Sequence, residues 1–134
     1  MRIGDLQKCI DKQNANNSQA REVIFRILLN TEDCLDVSRL LDEVQDIYPK
    51  KISVNTIYRH LNFFVECGLA VALQNENRKA YYCLLDETLN VFTMCPKCGL
   101  IQKVKENDKS LDLSDTKLTE AEYITIHKKC ERCI

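Results

Sequence analysis

Two pairs of closely spaced cysteines constrain this chain more than any other feature of its sequence. Two residues separate Cys95 from Cys98 and Cys130 from Cys133, and 31 residues lie between the pairs. This spacing lets both thiolates of a pair point at one ion, and two such pairs complete a tetrahedron. Gly99 allows the sharp backbone turn that the first pair needs. The four cysteines are therefore predicted to form one closed metal site.

Zinc is the metal that this donor set favours. Four thiolates leave no open coordination position, which is typical of a structural rather than a catalytic site. Such a site contributes about 10–16 kcal/mol of apparent binding energy, as much as the whole stability of a small domain at about 5–15 kcal/mol. A rubredoxin-like iron site and a chance recurrence of two cysteine pairs are the alternatives. We expect one structural zinc ion per chain.

The composition indicates a helix-rich globular protein. The chain has 134 residues, of which 45% are hydrophobic, with only three glycines and two prolines. No apolar run approaches the ~20 residues that span a bilayer, and the first residues lack the apolar stretch of a signal peptide. We therefore expect a cytoplasmic protein with no membrane partner. In that reducing compartment the eight cysteines are expected to be metal ligands, redox groups or core residues before they are disulfides.

The order of predicted elements in residues 1–85 is that of a winged helix-turn-helix, a DNA-binding module. Ser18 and Ser53 are good N-caps, and Gly68 is a typical residue at a helix end. The net charge of −1 requires any DNA-binding surface to be a local patch. Periodicity predicts helices at 3–14, 18–30, 36–48 and 53–67, and strands at 69–74 and 79–85.

The helix at 53–67 divides its residues between two faces. Asn55, Tyr58, Arg59 and Asn62 recur at helical spacing on the polar side. This side is a candidate DNA-reading surface, and a solvated helix face is the alternative. The apolar stripe consists of Val54, Ile57, Leu61, Phe64 and Val65.

Residues 86–134 are predicted to form a second, smaller α/β unit around the cysteine pairs. A hinge is expected at 86–90 and a polar loop at 105–115. The predicted strands are 91–94, 100–104 and 123–127, with a short helix at 114–121.

Several of these motifs together resemble the ferric uptake regulator (Fur) family. The stretch Ser53–Leu61 (SVNTIYRHL) is similar to the family's recognition-helix signature, and Ser18–Arg21 is similar to its N-terminal motif. The strand that contains Tyr81 and Tyr82 and the two cysteine pairs follow in the family's order. The resemblance covers roughly residues 15–134.

The resemblance implies an α+β fold and a function. A winged helix-turn-helix at 1–85 would precede a small α/β dimerisation domain at 86–134 with its four-cysteine structural zinc site. A homodimer would bind a palindromic operator in double-stranded DNA, usually as a repressor. Tyr58 would contact bases and Arg59 phosphates or a base edge, which suits an aromatic ring and a guanidinium. Further phosphate contacts are expected from Lys50, Lys51, Arg21, Arg78 and Lys79.

The chain departs from the family at the positions that bind a regulatory metal. The histidines expected just before the first cysteine pair are missing, so a conventional Fe, Mn or Zn sensing site is predicted to be absent. Different residue types stand at the family's ligand positions: Leu89, Asn90, Phe92, Lys103, Glu122, Cys34 and Cys83.

Cys34 and Cys83 leave three interpretations open. In the first, they are small buried apolar residues. In the second, they form a redox switch or soft-metal site between the domains. In the third, they have no regulatory role, and another ligand or partner regulates the protein. Cys9 and Cys67 are expected to be core or helix residues.

Two other classes of function compete with a transcription regulator. One is a zinc-stabilised protein-interaction module without useful DNA binding. The other is an enzyme, which we do not expect, because the only two histidines, His60 and His127, have no nucleophile–base arrangement around them and no phosphate-binding loop is visible. No small-molecule substrate is evident.

Overall fold

The computed structural model describes residues 3–13, 18–86, 90–105 and 121–134. Apart from Ala121, the predicted short helix at 114–121 lies outside them. Among the described helices, none is long and apolar enough to cross a membrane. The helices are α1 (Ile3–Lys12), α2 (Gln19–Leu29), α3 (Val37–Ile47) and α4 (Val54–Glu66). The strands are β1 (Leu35–Asp36), β2 (Ala70–Gln74), β3 (Ala80–Leu84), β4 (Asn90–Met94), β5 (Ile101–Lys103) and β6 (Tyr123–His127), and a 3-10 turn spans Glu131–Cys133.

Three helices begin where the sequence supplies a capping side chain. Ser18, Asp36 and Ser53 precede α2, α3 and α4, and each side chain accepts a hydrogen bond from the backbone N–H three residues on. Gly68 follows α4 with a φ of +77°, the left-handed conformation that favours glycine. The predicted bounds of these three helices differ from the observed ones by one residue at each end.

The helices enclose a first hydrophobic core. Phe25 of α2 and Phe64 of α4 meet edge to face with ring centroids 5.4 Å apart, and both are fully buried. The apolar stripe predicted on α4 is wrong at Val54, which is 43% exposed, because this first helical residue lies beyond the part of α4 that packs on other helices. His60 is a buried polar residue of α4 that the stripe does not include.

A small antiparallel sheet follows the helices, with strand order β1-β3-β2. β2 and β3 form the predicted hairpin. β1 is not among the predicted strands, because two residues are too few to show an alternating pattern. Leu35 of β1 lies opposite Tyr82 of β3, so the next cross-strand position brings Cys34 opposite Cys83.

Both faces of this hairpin contribute buried side chains, although Ala72 and Gln74 of β2 are exposed. Its side chains alternate along the chain, and they contribute to two different hydrophobic cores. One set of side chains packs in the helical core: Ala70, Tyr82 and Leu84. The other set packs in a second core: Val71, Leu73, Tyr81, Cys83 and Leu85. A hairpin with two apolar faces needs a cover on each side, and the helices provide only one.

The second sheet provides the other cover. Its strand order is β5-β4-β6, with β5 antiparallel and β6 parallel to β4. Phe92 and Met94 of β4 and Ile101 of β5 pack with the hairpin in the second core. The α+β fold class is confirmed. The second core contains side chains from both predicted units, the hairpin and the second sheet.

Candidate metal centre and nucleic-acid interface

The four predicted ligands meet at one end of the second sheet. The sulfur atoms of Cys95, Cys98, Cys130 and Cys133 all lie within 4.8 Å of one another, and Cys98 Sγ is 3.6 Å from Cys130 Sγ. Four thiolates at about 2.3 Å from a tetrahedral zinc ion would be about 3.8 Å apart. Within the described ranges, no other group of three or more metal-binding side chains comes together in this way.

The parallel pairing of β4 and β6 explains why the two cysteine pairs coincide. Parallel strands end at the same edge of a sheet, and Met94 lies opposite His127 at that edge. Cys95 follows β4 directly, and the ladder continues past β6 because Lys128 N–H donates to the carbonyl of Met94 at 3.0 Å. The chain then turns so that Cys130 faces the first pair.

Repulsion between the four neighbouring thiolates makes a bound cation favourable. Backbone N–H groups, first that of Cys98 and then that of Cys130, lower the pKa of Cys95 to about 6. Crowding by neighbouring sulfurs acts in the opposite direction, since the thiol of Cys130 and its neighbours raise the pKa of Cys133 to about 12. Four thiolates so close together repel one another unless a positive ion lies between them.

The first cysteine pair also contacts the tip of the hairpin. Asn75, in the turn between β2 and β3, is buried, and its Nδ2 donates to the carbonyl of Gly99 at 2.9 Å. Asn75 Oδ1 accepts from the backbone N–H groups of Asn77 and Lys79, each at 3.0 Å. One side chain therefore shapes the hairpin turn and holds it against the metal site, a role that sequence reasoning missed.

Gly99 is close to this amide. Its φ is +80°, and a Cβ added there would lie 2.7 Å from Asn75 Nδ2. The sharp turn predicted at Gly99 is therefore present, and the contact with Asn75 adds a second requirement for glycine.

The predicted DNA-reading residues share one exposed face of α4. Asn55, Tyr58, Arg59 and Asn62 are all exposed, and Tyr58 keeps 40% of its surface accessible although it is a large aromatic residue. Helical spacing places the four side chains along one line of the helix. The face offers an aromatic ring, a guanidinium and two amides to a partner.

Most of the predicted phosphate contacts lie in exposed loops. Lys50 and Lys51 precede α4, and Arg78 lies at the hairpin tip with a φ of +63°. Gln45 fixes the loop before α4, because its side chain bonds the carbonyl of Lys50 and the N–H of Ile52 at 3.1 Å each. Lys79, the residue after Arg78 in the same turn, has its own partner, since its Nζ lies 3.1 Å from Asp36 Oδ2.

Arg21 differs from the other cations because it packs against α4. Its Nε donates to His60 Nδ1 at 3.3 Å, and its guanidinium carbon lies 3.9 Å from the ring centroid of Phe63. This arrangement ties α2 to the inner side of α4. The structure thus adds a positioning role for Arg21 that its sequence motif does not reveal.

The buried imidazole of His60 predicts a pH dependence of stability. Burial, then the charges of Arg21 and Arg59, lower its pKa from 6.5 to about 4. Between these values the unfolded chain binds a proton that the folded chain does not, so stability falls as the pH drops. At pH 5 this group alone is expected to cost about 2 kcal/mol relative to pH 7.5.

Urea unfolding at both pH values checks this expectation. His60→Asn is the matched control, because its Oδ1 can accept the bond from Arg21 Nε without titrating. The variant should lose less stability than the parent protein on acidification. Equal losses would contradict the assignment of the effect to His60.

Cys34 and Cys83 form a buried pair of thiols. They are 6% and 5% exposed, and the pairing of β1 with β3, continued by one residue, places them opposite each other. A hydrogen bond between them raises the pKa of Cys34 and lowers that of Cys83, as expected when the Cys34 thiol is the donor. They lie in the core shared by the hairpin and the second sheet.

Lys103 supplies a positive charge next to this pair. Its ammonium contacts Asp86 Oδ2 at 2.5 Å and the carbonyl of Leu84 at 3.5 Å. Its backbone N–H donates at 2.9 Å to Asp33 Oδ1, which also accepts from the N–H of Cys34 at 2.8 Å. These contacts link β5 to the hairpin and to the loop between α2 and β1.

Cys9 and Cys67 are joined by a disulfide, with their Cα atoms 6.1 Å apart. They were expected to be core or helix residues, and Cys9 is indeed buried in α1, while Cys67 is half-exposed at the end of α4. Nothing in the spacing reveals this bond, because the two residues are 58 positions apart on separate helices. The expectation that disulfides come last among the roles of these cysteines is therefore wrong for this pair.

Comparison with known proteins assigns the family. The model of the ferric uptake regulator family matches residues 12–131. The fold is similar to that of the Helicobacter pylori ferric uptake regulator Fur, with a TM-score of 0.72, 19% identity and coverage of 98% of this chain and 90% of that one. No curated protein matches the sequence.

Two further solved structures share the fold. The Vibrio cholerae Fur has a TM-score of 0.65 and 18% identity, with coverage of 92% of this chain and 98% of that one. A zinc uptake regulator complexed with zinc and DNA has a TM-score of 0.59 and 19% identity, with coverage of 98% and 91%. The family consists of regulators and not of enzymes. On the match of the family model over most of its length, this chain is a member of the ferric uptake regulator family.

Proposed function

We propose that this chain is a sequence-specific transcription regulator that binds a palindromic operator as a homodimer, as a repressor and in the cytosol. Residues 1–85 would form the DNA-binding domain and residues 86–134 the dimerisation domain. The observation that carries the proposal is the exposed face of α4, where Tyr58 and Arg59 lie beside two amides. A related zinc uptake regulator has been seen in complex with DNA, which supports using the same fold in this way.

The four-cysteine cluster is proposed to hold one structural zinc ion. The distances between its sulfurs suit a tetrahedral ion, and the lowered pKa of Cys95 favours the thiolate form that binds a metal. When bound, the ion supplies a rigid cross-link between the ends of β4 and β6. Its part in DNA binding is indirect, since it holds the second sheet against the hairpin.

We further propose that DNA binding does not depend on a second, regulatory metal. Lys103 places an ammonium group where a sensor of this family would have a ligand, and this group neutralises Asp86. A cation in that position repels a divalent metal ion rather than binding it. Cys34 and Cys83 then serve as small apolar side chains of the shared core, because their burial leaves oxidants little access.

The test compares DNA binding of the parent chain with that of a Tyr58→Ala/Arg59→Ala variant. The probe is a DNA sequence selected from a random pool by the zinc-loaded parent protein. Each good base contact contributes about 1–3 kcal/mol, so the loss of two should weaken binding by at least ~30-fold. Adding Mn²⁺ or Fe²⁺ to the parent should leave its affinity unchanged.

Arg26→Ala is the matched control. Arg26 is exposed on α2 and pairs only with Glu22 on its own helix among the contacts of the described residues, so the variant loses a positive charge away from α4. Its affinity should stay within about 3-fold of the parent, a difference of less than 1 kcal/mol. Failure of the parent to select any sequence would favour a protein-interaction module, and affinity that appears only with Mn²⁺ or Fe²⁺ would restore a sensing site.

A further inference from the structure

The disulfide between Cys9 and Cys67 connects two helices with different tasks. Cys9 lies inside α1, whereas Cys67 is the residue directly after α4. The N–H of Cys67 still bonds the carbonyl of Phe63 at 3.0 Å, so this cysteine closes the last turn of α4. The bond therefore attaches the first helix of the chain covalently to the end of the helix proposed to read DNA.

α1 depends on its attachment to the rest of the protein. It has 10 residues, fewer than the ~12–15 that an isolated helix needs to be even marginally stable in water. Its buried side chains are those of Leu6, Cys9 and Ile10, and one of these three is the cysteine of the bond. Without the disulfide, the buried side chains of Leu6 and Ile10, the partly buried Ile3 and the Cys9 thiol remain to hold the helix in place.

The two cysteines differ in their exposure to solvent. Cys9 is 7% exposed, whereas Cys67 is partly exposed and packs at the margin of the helical core. A reductant therefore approaches the bond from the side of Cys67. Cys34 and Cys83, by contrast, are both buried, and the four remaining cysteines belong to the metal cluster.

We propose that Cys9 and Cys67 form a reversible thiol–disulfide site that controls the docking of α1 on the DNA-binding domain. A dithiol reductant attacks Cys67 Sγ, which forms a mixed disulfide and releases Cys9 as a thiolate that takes up a proton. The second thiol of the reductant then displaces Cys67, which is protonated in turn. The protein gains two electrons and two protons, and the reductant becomes a disulfide.

In the cytosol, the compartment proposed above, a reversible disulfide is more common than a permanent one. Disulfides of cytosolic proteins are usually transient or redox-sensing, because reduced thiol pools attack them. A disulfide with one partly exposed cysteine is more open to such pools than a fully buried one. The proposal does not depend on DNA binding, since it concerns the attachment of α1 alone.

Hydrogen exchange of the zinc-loaded full chain tests the proposal. The oxidised protein is compared with protein reduced by tris(2-carboxyethyl)phosphine, which brings no thiol to compete for zinc, and intact mass and zinc content verify each state. On reduction the amides of α1 should lose at least ~10-fold of their protection. The melting temperature should fall by about 5 °C or more, since the bond closes a long segment of chain.

Two variants make the result unambiguous. Cys67→Ser cannot form the bond, so it should match reduced parent protein in both conditions. Cys34→Ser keeps the bond, so it should respond to the reductant as the parent does. Unchanged protection of α1 in reduced parent protein, or full protection of α1 in Cys67→Ser, would overturn the proposal.

Discussion

Replacing Cys98 with serine is expected to release the zinc ion and to unfold the second sheet. A structural site of four cysteines contributes about 10–16 kcal/mol of apparent binding energy, and removing one thiolate leaves a weak, open site. The core beneath this sheet is small, because the residues that the sheet adds to it are Phe92, Met94 and Ile101. We expect a loss of at least about 5 kcal/mol, which is enough to unfold a domain of ordinary stability.

Zinc content and hydrogen exchange of β4, β5 and β6 measure this effect. Lys97→Ser is the matched control, since Lys97 lies exposed inside the same turn and is not a cysteine. The control should bind one zinc ion per chain and keep the protection of all three strands. A Cys98→Ser protein that contains no zinc, yet protects these strands fully, would show that the metal does not hold this unit together.

Replacing Gly99 with alanine is expected to cost about 3 kcal/mol. A non-glycine residue in the left-handed conformation costs about 1–2 kcal/mol, and the lost hydrogen bond from Asn75 adds about 1 kcal/mol. The new Cβ would lie 2.7 Å from Asn75 Nδ2 and 3.2 Å from its Cγ, so the amide must move. Because Asn75 is buried between the hairpin tip and the metal site, it has little room to do so.

Gly68→Ala separates the two parts of this cost. Gly68 has nearly the same φ, +77°, but a Cβ there meets nothing within 4 Å. Denaturant unfolding of both variants should therefore show a larger loss for Gly99→Ala by about 1 kcal/mol, the part that comes from Asn75. Equal losses in the two variants would mean that the contact with Asn75 contributes nothing.

Local signals in the sequence predicted most of the elements. The bounds of α4 follow from a capping serine and a terminal glycine, and the predicted strand at 123–127 coincides with β6. The spacing within each cysteine pair is also a local signal, and the sulfurs do come together. Interactions of this kind act over a few residues, so one sequence is enough to predict them.

The features that escaped prediction depend on residues far apart in the chain. The bond between Cys9 and Cys67 joins two helices 58 residues apart. The burial of His60 depends on its partner Arg21 in another helix. No periodicity encodes which helix meets which, so these contacts become visible only when the fold is known.

The doubly covered hairpin leaves its own alignment poorly determined by hydrophobicity. Sliding one strand by a single residue normally exposes its apolar side chains to water, and this penalty prevents slippage. Here Tyr81 and Cys83 on one side and Tyr82 and Leu84 on the other are all apolar enough to be buried, so the penalty is small. The turn therefore determines which alignment forms. There the Asn75 side chain bonds the backbone of Asn77 and Lys79 and also the carbonyl of Gly99 beside the metal site.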